Sequence, residues 1–143
     1  MKKAMPAGRQ GFTIIELMVT VAIIAILAAL IMVSFSNIKA KNRDAKRMGD
    51  LKSISNALNL YYSLHHSFLS TSGVPIHLDG TDTISSALVS EEFIPAPIID
   101  PLDSGNYIYQ YDSMNGMDYT LSFCLETDSI QSYSPAGCYT IKP

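Results

Sequence analysis

The sequence predicts an α+β protein: one long N-terminal helix, its first half transmembrane, packed against a small antiparallel sheet of about three strands. Three observations carry this. Residues 12–35 form an apolar run whose single charge is Glu16. Past that run, apolar residues recur at 3- and 4-residue steps as far as Phe68, with no proline. Beyond residue 105 the period falls to two and a turn signal, Asn115-Gly116, divides the alternating stretches.

The stretch Leu17-Met-Val-Thr-Val-Ala-Ile-Ile-Ala-Ile-Leu-Ala-Ala-Leu-Ile-Met-Val33 contains no Gly, no Pro and one hydroxyl group. About 20 apolar residues in a helix cross a hydrocarbon core, and only a helix satisfies a single segment's backbone there. Glu16 is the anomaly. An acid at the centre of such a helix costs roughly 2.5–3.5 kcal/mol on insertion scales, and less near an end. Either it snorkels to the interface, or a positive group meets it inside an assembly. Cleavage after Gly11 would give Phe12 a free amine, with an ordinary pKa of roughly 7.7–8. That amine lies one helical turn from Glu16, so a subunit displaced along its neighbour can pair the two. The helix N-terminus adds a modest preference for an anion.

A short basic leader, then Gly11-Phe12-Thr13-Ile14-Ile15-Glu16, then the apolar run, resembles the class III signal of type IV prepilins and pseudopilins. The resemblance covers about the first 35 residues. It implies that a prepilin peptidase cuts between Gly11 and Phe12 and that Phe12 is then N-methylated. It also implies that Glu16 and Phe12 act in assembly. Many pilins carry a proline about twenty residues past the cut. Here that neighbourhood reads Ile31-Met-Val-Ser34, without the proline that would kink the helix, an absence that pseudopilins and some pilins share.

Each segment follows from its residues. The leader, 1–11, holds Lys2, Lys3 and Arg9 and no acid, which keeps its side of the membrane cytoplasmic. An ordinary secretory signal also begins basic, but its apolar core spans roughly 7–15 residues with a small-residue cut beyond. The run here is longer and is not followed by such a region. Residues 36–68 continue the helix amphipathically through Met48, Leu51, Ile54, Leu58, Tyr61 and His65, with Lys46, Arg47, Lys52 and Asn56 off that stripe. One helix of about 54 residues, roughly 80 Å long, is expected.

The net charge of −3 conceals a division. Six bases and two acids lie between positions 39 and 52, whereas from Ser53 onward there are ten acids and one base, Lys142. This basic collar suits subunit packing or lipid headgroups. DNA contact needs little more than charge, but no aromatic residues interleave with these bases, so DNA is not favoured.

Residues 69–104 read as a helix-to-sheet loop rich in Ser, Thr, Pro and Asp, with a short helix at 83–93 capped by Asp82 or Thr83. Pro95, Pro97 and Pro101 then force an extended passage. Residues 105–143 hold the strands: Tyr107-Ile-Tyr-Gln-Tyr111, Tyr119-Thr-Leu-Ser-Phe-Cys-Leu125 and Cys138-Tyr-Thr-Ile141. Asn115-Gly116 is a strong hairpin signal.

The only cysteines, Cys124 and Cys138, fall on the exported side, where disulfides persist. A bridge would close a loop of about 15 residues, worth roughly 3 kcal/mol in the chain-entropy picture. The alternative is two free buried thiols. Comparable C-terminal loops in pilins carry surface recognition.

Chemistry-bearing motifs are scarce. Adjacent His65 and His66 lack the i, i+4 spacing of a helical zinc site, and there is neither a phosphate loop nor a nucleophile elbow. An enzyme is not expected, nor a cofactor. Calcium is a weak candidate at Asp100, Asp103, Asp112 and Asp118, because hard cations want several carboxylate oxygens. An acidic solvated surface is the plainer account.

The resemblance implies a structural subunit of a type IV pilus or related filament. It would sit in the bacterial inner membrane as a single-pass precursor and then in an extracellular fibre. Its partners would be copies of itself, other pilins, membrane lipid, a platform protein and an assembly ATPase. Adhesion, motility, DNA uptake and secretion all fit. The alternatives are a pseudopilin of a type II secretion system and a non-polymerising bitopic protein with an acidic binding head.

Overall fold

The computed structural model describes residues 11–143. The expected leader, with Lys2, Lys3 and Arg9, therefore lies outside the described residues except for Gly11. Among the described residues the elements run α1 (Ile14–His65), β1 (Ile76–His77), α2 (Thr83–Ser90), β2 (Gln110–Asp112), β3 (Thr120–Cys124) and β4 (Cys138–Ile141), with a short 3-10 turn at Gln131–Tyr133 before β4. The chain divides into two compact units, the first ending at Ile38 and the second running Lys39–Pro143.

In the first unit the helix exposes its apolar side chains, among them Ile15, Leu17, Val21, Ile24, Leu27 and Leu30. It is long and apolar enough to cross a membrane by length and composition. An exposed surface of this kind marks a lipid or protein contact.

The second unit has its own core. Leu51, Ile54, Ala57 and Leu58 of α1 are buried with Tyr109, Tyr111, Tyr119, Leu121 and Phe123 of the sheet region, and with Ile84 and Leu88 of α2. The 3.6-residue period on the helix and the two-residue period on the strands thus close one another's apolar faces. Full burial of each Leu, Ile or Phe side chain contributes about 1.5–3 kcal/mol. α2 starts where the sequence places its cap: Asp82 Oδ1 accepts the Ser85 N–H at 2.7 Å. It ends at Ser90, short of Phe93, where the N–H groups of Phe93 and Ile94 turn back onto Leu88 O.

Several boundaries differ from the sequence expectation. The sheet has four strands in the order β1-β2-β3-β4, all antiparallel. The additional strand, β1, is two residues long, too short for a periodic signal, and is defined by Ile76 and His77 facing Tyr111 and Gln110. β2 begins at Gln110 instead of Tyr107, because Tyr107 bridges locally to Ser104. α1 stops at His65, three residues before Phe68. His66 takes φ +57°, and the Phe68 N–H leaves the helix to donate to Gly116 O at 2.7 Å. Asn115-Gly116 lies within a longer connection, 113–119, and does not form a two-residue turn. Arg47, expected off the apolar stripe, is fully buried.

Candidate functional site

Two constellations stand out, one in each unit. The first is the start of α1. Gly11 and Phe12 precede the helix and are exposed, Phe12 at 83%. Thr13 caps the helix reciprocally with Glu16. Glu16 Oε2 accepts the Thr13 N–H at 2.9 Å and the Thr13 hydroxyl at 2.7 Å, while the Glu16 N–H reaches Thr13 Oγ1 at 3.3 Å. This is the Thr-x-x-Glu capping box, which satisfies two orphan donors of a helix end. The arrangement was legible in the sequence as a Thr followed three residues later by Glu. It gives the carboxylate a local partner within its own chain.

The second constellation is a buried ionic cluster in the head, and neither motif nor composition announced it. Arg47 on α1 grips Asp100 bidentately, Nε to Oδ2 at 2.7 Å and Nη2 to Oδ1 at 2.9 Å. Its Nη1 also reaches Asp44 Oδ1 at 2.8 Å and Glu126 Oε1 at 2.6 Å. Arg43 Nε adds a second cation on Glu126 at 2.8 Å, and the Tyr107 ring lies 5.0 Å from the Arg47 guanidinium carbon. Asp44 turns its remaining capacity to the loop after β3, accepting the N–H groups of Glu126 and Thr127 at 3.0 and 2.8 Å. Buried charges persist only when paired and hydrogen-bonded. No buried side-chain nitrogen or oxygen lacks a partner among the described residues. The hydrogen bond from Arg43, together with Arg47, holds the Glu126 carboxyl at about 2, and the same carboxylate raises the Arg43 guanidinium. Nearby, burial pushes the Asp50 carboxyl and the Tyr109 phenol up, and the Tyr109 hydroxyl donates to Asp50 at 3.1 Å.

The signal for Arg47 was present in the helix period. Stepping back from Leu58, Ile54 and Leu51 by fours and threes lands on Arg47 and then Asp44, so the inward stripe ends in an ion pair at i, i+3 spacing. Arg47 is therefore internal, Arg43 is half-buried against Glu126, and the basic collar presents Lys39, Lys41, Lys46 and Lys52 at its surface.

Cys124 and Cys138 form a disulfide. They are register partners at the end of the β3–β4 ladder, and Leu125 N donates to Gly137 O just beyond. The four aspartates considered for calcium are not brought together. Asp100 is bound to Arg47, Asp103 to His77 Nε2 at 2.7 Å, and Asp112 to the Thr71 hydroxyl at 2.6 Å, while Asp118 is exposed. Among the described residues no three His, Cys, Asp or Glu side chains gather as a metal site. His65 lies 3.4 Å from Glu91 and stacks on Tyr61.

Comparison with known proteins bears on the first constellation. Residues 6–32 match the family model described as the prokaryotic N-terminal methylation motif. The type II secretion system core protein G of Escherichia coli (strain K12) is 33% identical over 63 residues, which cover 44% of this chain and 43% of that protein. The chain thus spans less than half the length of the curated relative it matches. No solved structure matches it. The motif and the relative both support the pilin and pseudopilin family for this chain.

Proposed function

Proceeding from that family, we propose that this chain is a structural subunit of a type IV pilus-like filament. It is inserted as a single-pass precursor, cut between Gly11 and Phe12 by a prepilin peptidase, and N-methylated on Phe12. The observation that carries the reading is one junction: an exposed Gly11-Phe12 pair, a carboxylate at Glu16, and a helix of exposed apolar side chains directly behind them. In the membrane those side chains face lipid. In the filament they face the same helix of other copies. Glu16 then exchanges its Thr13 partners for the amine of a neighbouring Phe12. The Thr13 contacts pair the carboxylate with neutral donors, whereas the amine brings a full opposite charge, and that attraction strengthens as the dielectric constant falls in an apolar fibre core.

A platform protein and an assembly ATPase would drive extraction from the inner membrane. Within this class, likeness to a type II secretion core protein favours a secretion pseudopilus over a surface pilus.

Intact-mass measurement of the chain from its native membrane tests the processing step. The expected species starts at Phe12, carries one added methyl group, and lacks two hydrogens at Cys124 and Cys138. A chain still beginning at Met1 in a host with an active peptidase would overturn it. Glu16→Ala tests assembly: insertion is expected to be unchanged and filaments lost.

A further inference from the structure

We propose that Asn115 is a self-modification site, an asparagine primed to deamidate through Gly116, and that Ser113 restrains the reaction while the head is folded. Asn115-Gly116 is the sequence's only Asn-Gly pair, and the fold does not use it as a two-residue turn. In an open chain such a pair is labile. The Gly116 amide nitrogen gives up its proton to solvent base and attacks Asn115 Cγ. The new C–N bond closes a five-membered succinimide, and the carboxamide nitrogen takes up a proton and departs as ammonia. Water then opens the ring at either carbonyl, leaving aspartate or isoaspartate at position 115. Glycine is the permissive successor because it has no Cβ to obstruct the approach.

In the folded head the electrophile is ready and the nucleophile is not. Asn115 is exposed, and its Oδ1 accepts the Met117 N–H at 3.1 Å, which polarises the side-chain carbonyl towards attack. Gly116 is buried, and its N–H donates to Ser113 Oγ at 3.2 Å. Ser113 is itself buried. Its hydroxyl proton is given to Asp118 O at 2.6 Å, and its N–H to Thr71 Oγ1 at 3.0 Å. A hydroxyl so placed accepts a hydrogen bond but is too weak a base to remove an amide proton, and burial keeps hydroxide away. Ring closure must also swing the Asn115–Gly116 peptide, while Gly116 O is held by the Phe68 N–H at 2.7 Å. The nitrogen is therefore released only when the connection 113–119 opens locally.

The isoaspartate product is a one-way change. It carries the main chain through the former side chain and lengthens it by one methylene before Gly116. That glycine has no slack to take up the extra length, because a Cβ built on it would already lie 2.9 Å from Phe68 O. A chain carrying isoaspartate cannot return Gly116 to Phe68, so the exit of α1 stays loosened.

The experiment follows deamidation by peptide mass mapping of the full chain in detergent at mildly alkaline pH, with the aspartate and isoaspartate peptides separated. Wild type is incubated folded and unfolded in urea, beside Ser113→Ala under both conditions. Near-ultraviolet circular dichroism and an intact disulfide report folding. Folded wild type is expected to react at least about tenfold more slowly than unfolded wild type, as a connection closed by several ordinary hydrogen bonds requires. Folded Ser113→Ala should react about 5- to 30-fold faster than folded wild type, the opening released when one or two such bonds are lost. The two unfolded chains should react alike. Equal rates in folded and unfolded wild type overturn the proposal, and that comparison stands even where the alanine variant does not fold. A folded Ser113→Ala no faster than folded wild type removes Ser113 as the restraint and overturns it equally. In the reacted chains the Phe68 amide is expected to lose its protection from hydrogen exchange wherever isoaspartate stands at 115. Unchanged protection there would refute the loosened exit.

Discussion

At the scale of single residues, the decisive side chain of the head is one whose chemistry the sequence conceals. Arg47 sits among Lys46, Lys52 and Arg43 in a run that looks like a solvated cationic face, and its partners Asp100 and Glu126 are 53 and 79 positions away. No local pattern links residues at that distance. Glu16 is the opposite case, because its capping partner Thr13 is three positions away and both belong to one motif. The Arg43–Glu126–Arg47 contact gives the head a pH dependence whose sign can be worked out. The folded carboxyl titrates near 2, against an ordinary value of 4.5. The folded form therefore holds fewer protons in that interval. The contribution is fully present above about pH 4.5 and disappears as the pH falls towards 2. Denaturant midpoints taken across that interval are expected to fall with pH. Glu126→Gln should start from a lower midpoint at neutral pH and lose less on acidification. Parallel pH curves for the two proteins would refute the assignment.

At the scale of elements, existence and type were legible, whereas ends and short pieces were not. The stripe from Met48 to Tyr61 and the alternation around Leu121 and Phe123 each bury a face, so their periods survive in the sequence. β1 is only two residues long, with Ile76 partly buried against the core and His77 meeting Asp103, so no period marks it and its place is set by pairing to β2. The exit of α1 is likewise set by a distant contact. Gly116 has φ +74°, and a Cβ there would lie 2.9 Å from Phe68 O, the residue whose N–H Gly116 O accepts. Sequence flagged Asn115-Gly116 as a tight turn. The glycine instead allows the connection 113–119 to lie against the chain leaving the helix. Gly116→Ala is expected to cost about 1–3 kcal/mol, the usual size of such backbone strain. Hydrogen exchange should quicken first at the Phe68 amide. Unchanged protection at that amide would place the strain elsewhere.

At the scale of the whole molecule, the two units obey different physics. Every residue of the buried apolar cluster, from Leu51 to Leu125, belongs to Lys39–Pro143, together with the ionic cluster and the disulfide. Among the described residues up to Ile38 none joins these, and the exposed apolar side chains there call for lipid or for other helices. The sequence displayed this division plainly, because a long apolar run followed by an amphipathic period needs no tertiary information to read. A fragment comprising residues 39–143 is therefore expected to fold without membrane or detergent. It should unfold in a single cooperative transition, as small domains of this size do, and its disulfide should form unaided. Calorimetry and sedimentation on that fragment check this, with the full chain in detergent as reference. A fragment that lacks a cooperative transition while the full chain shows one would mean that the apolar half of α1 stabilises the head, and the division drawn at Ile38 would fall.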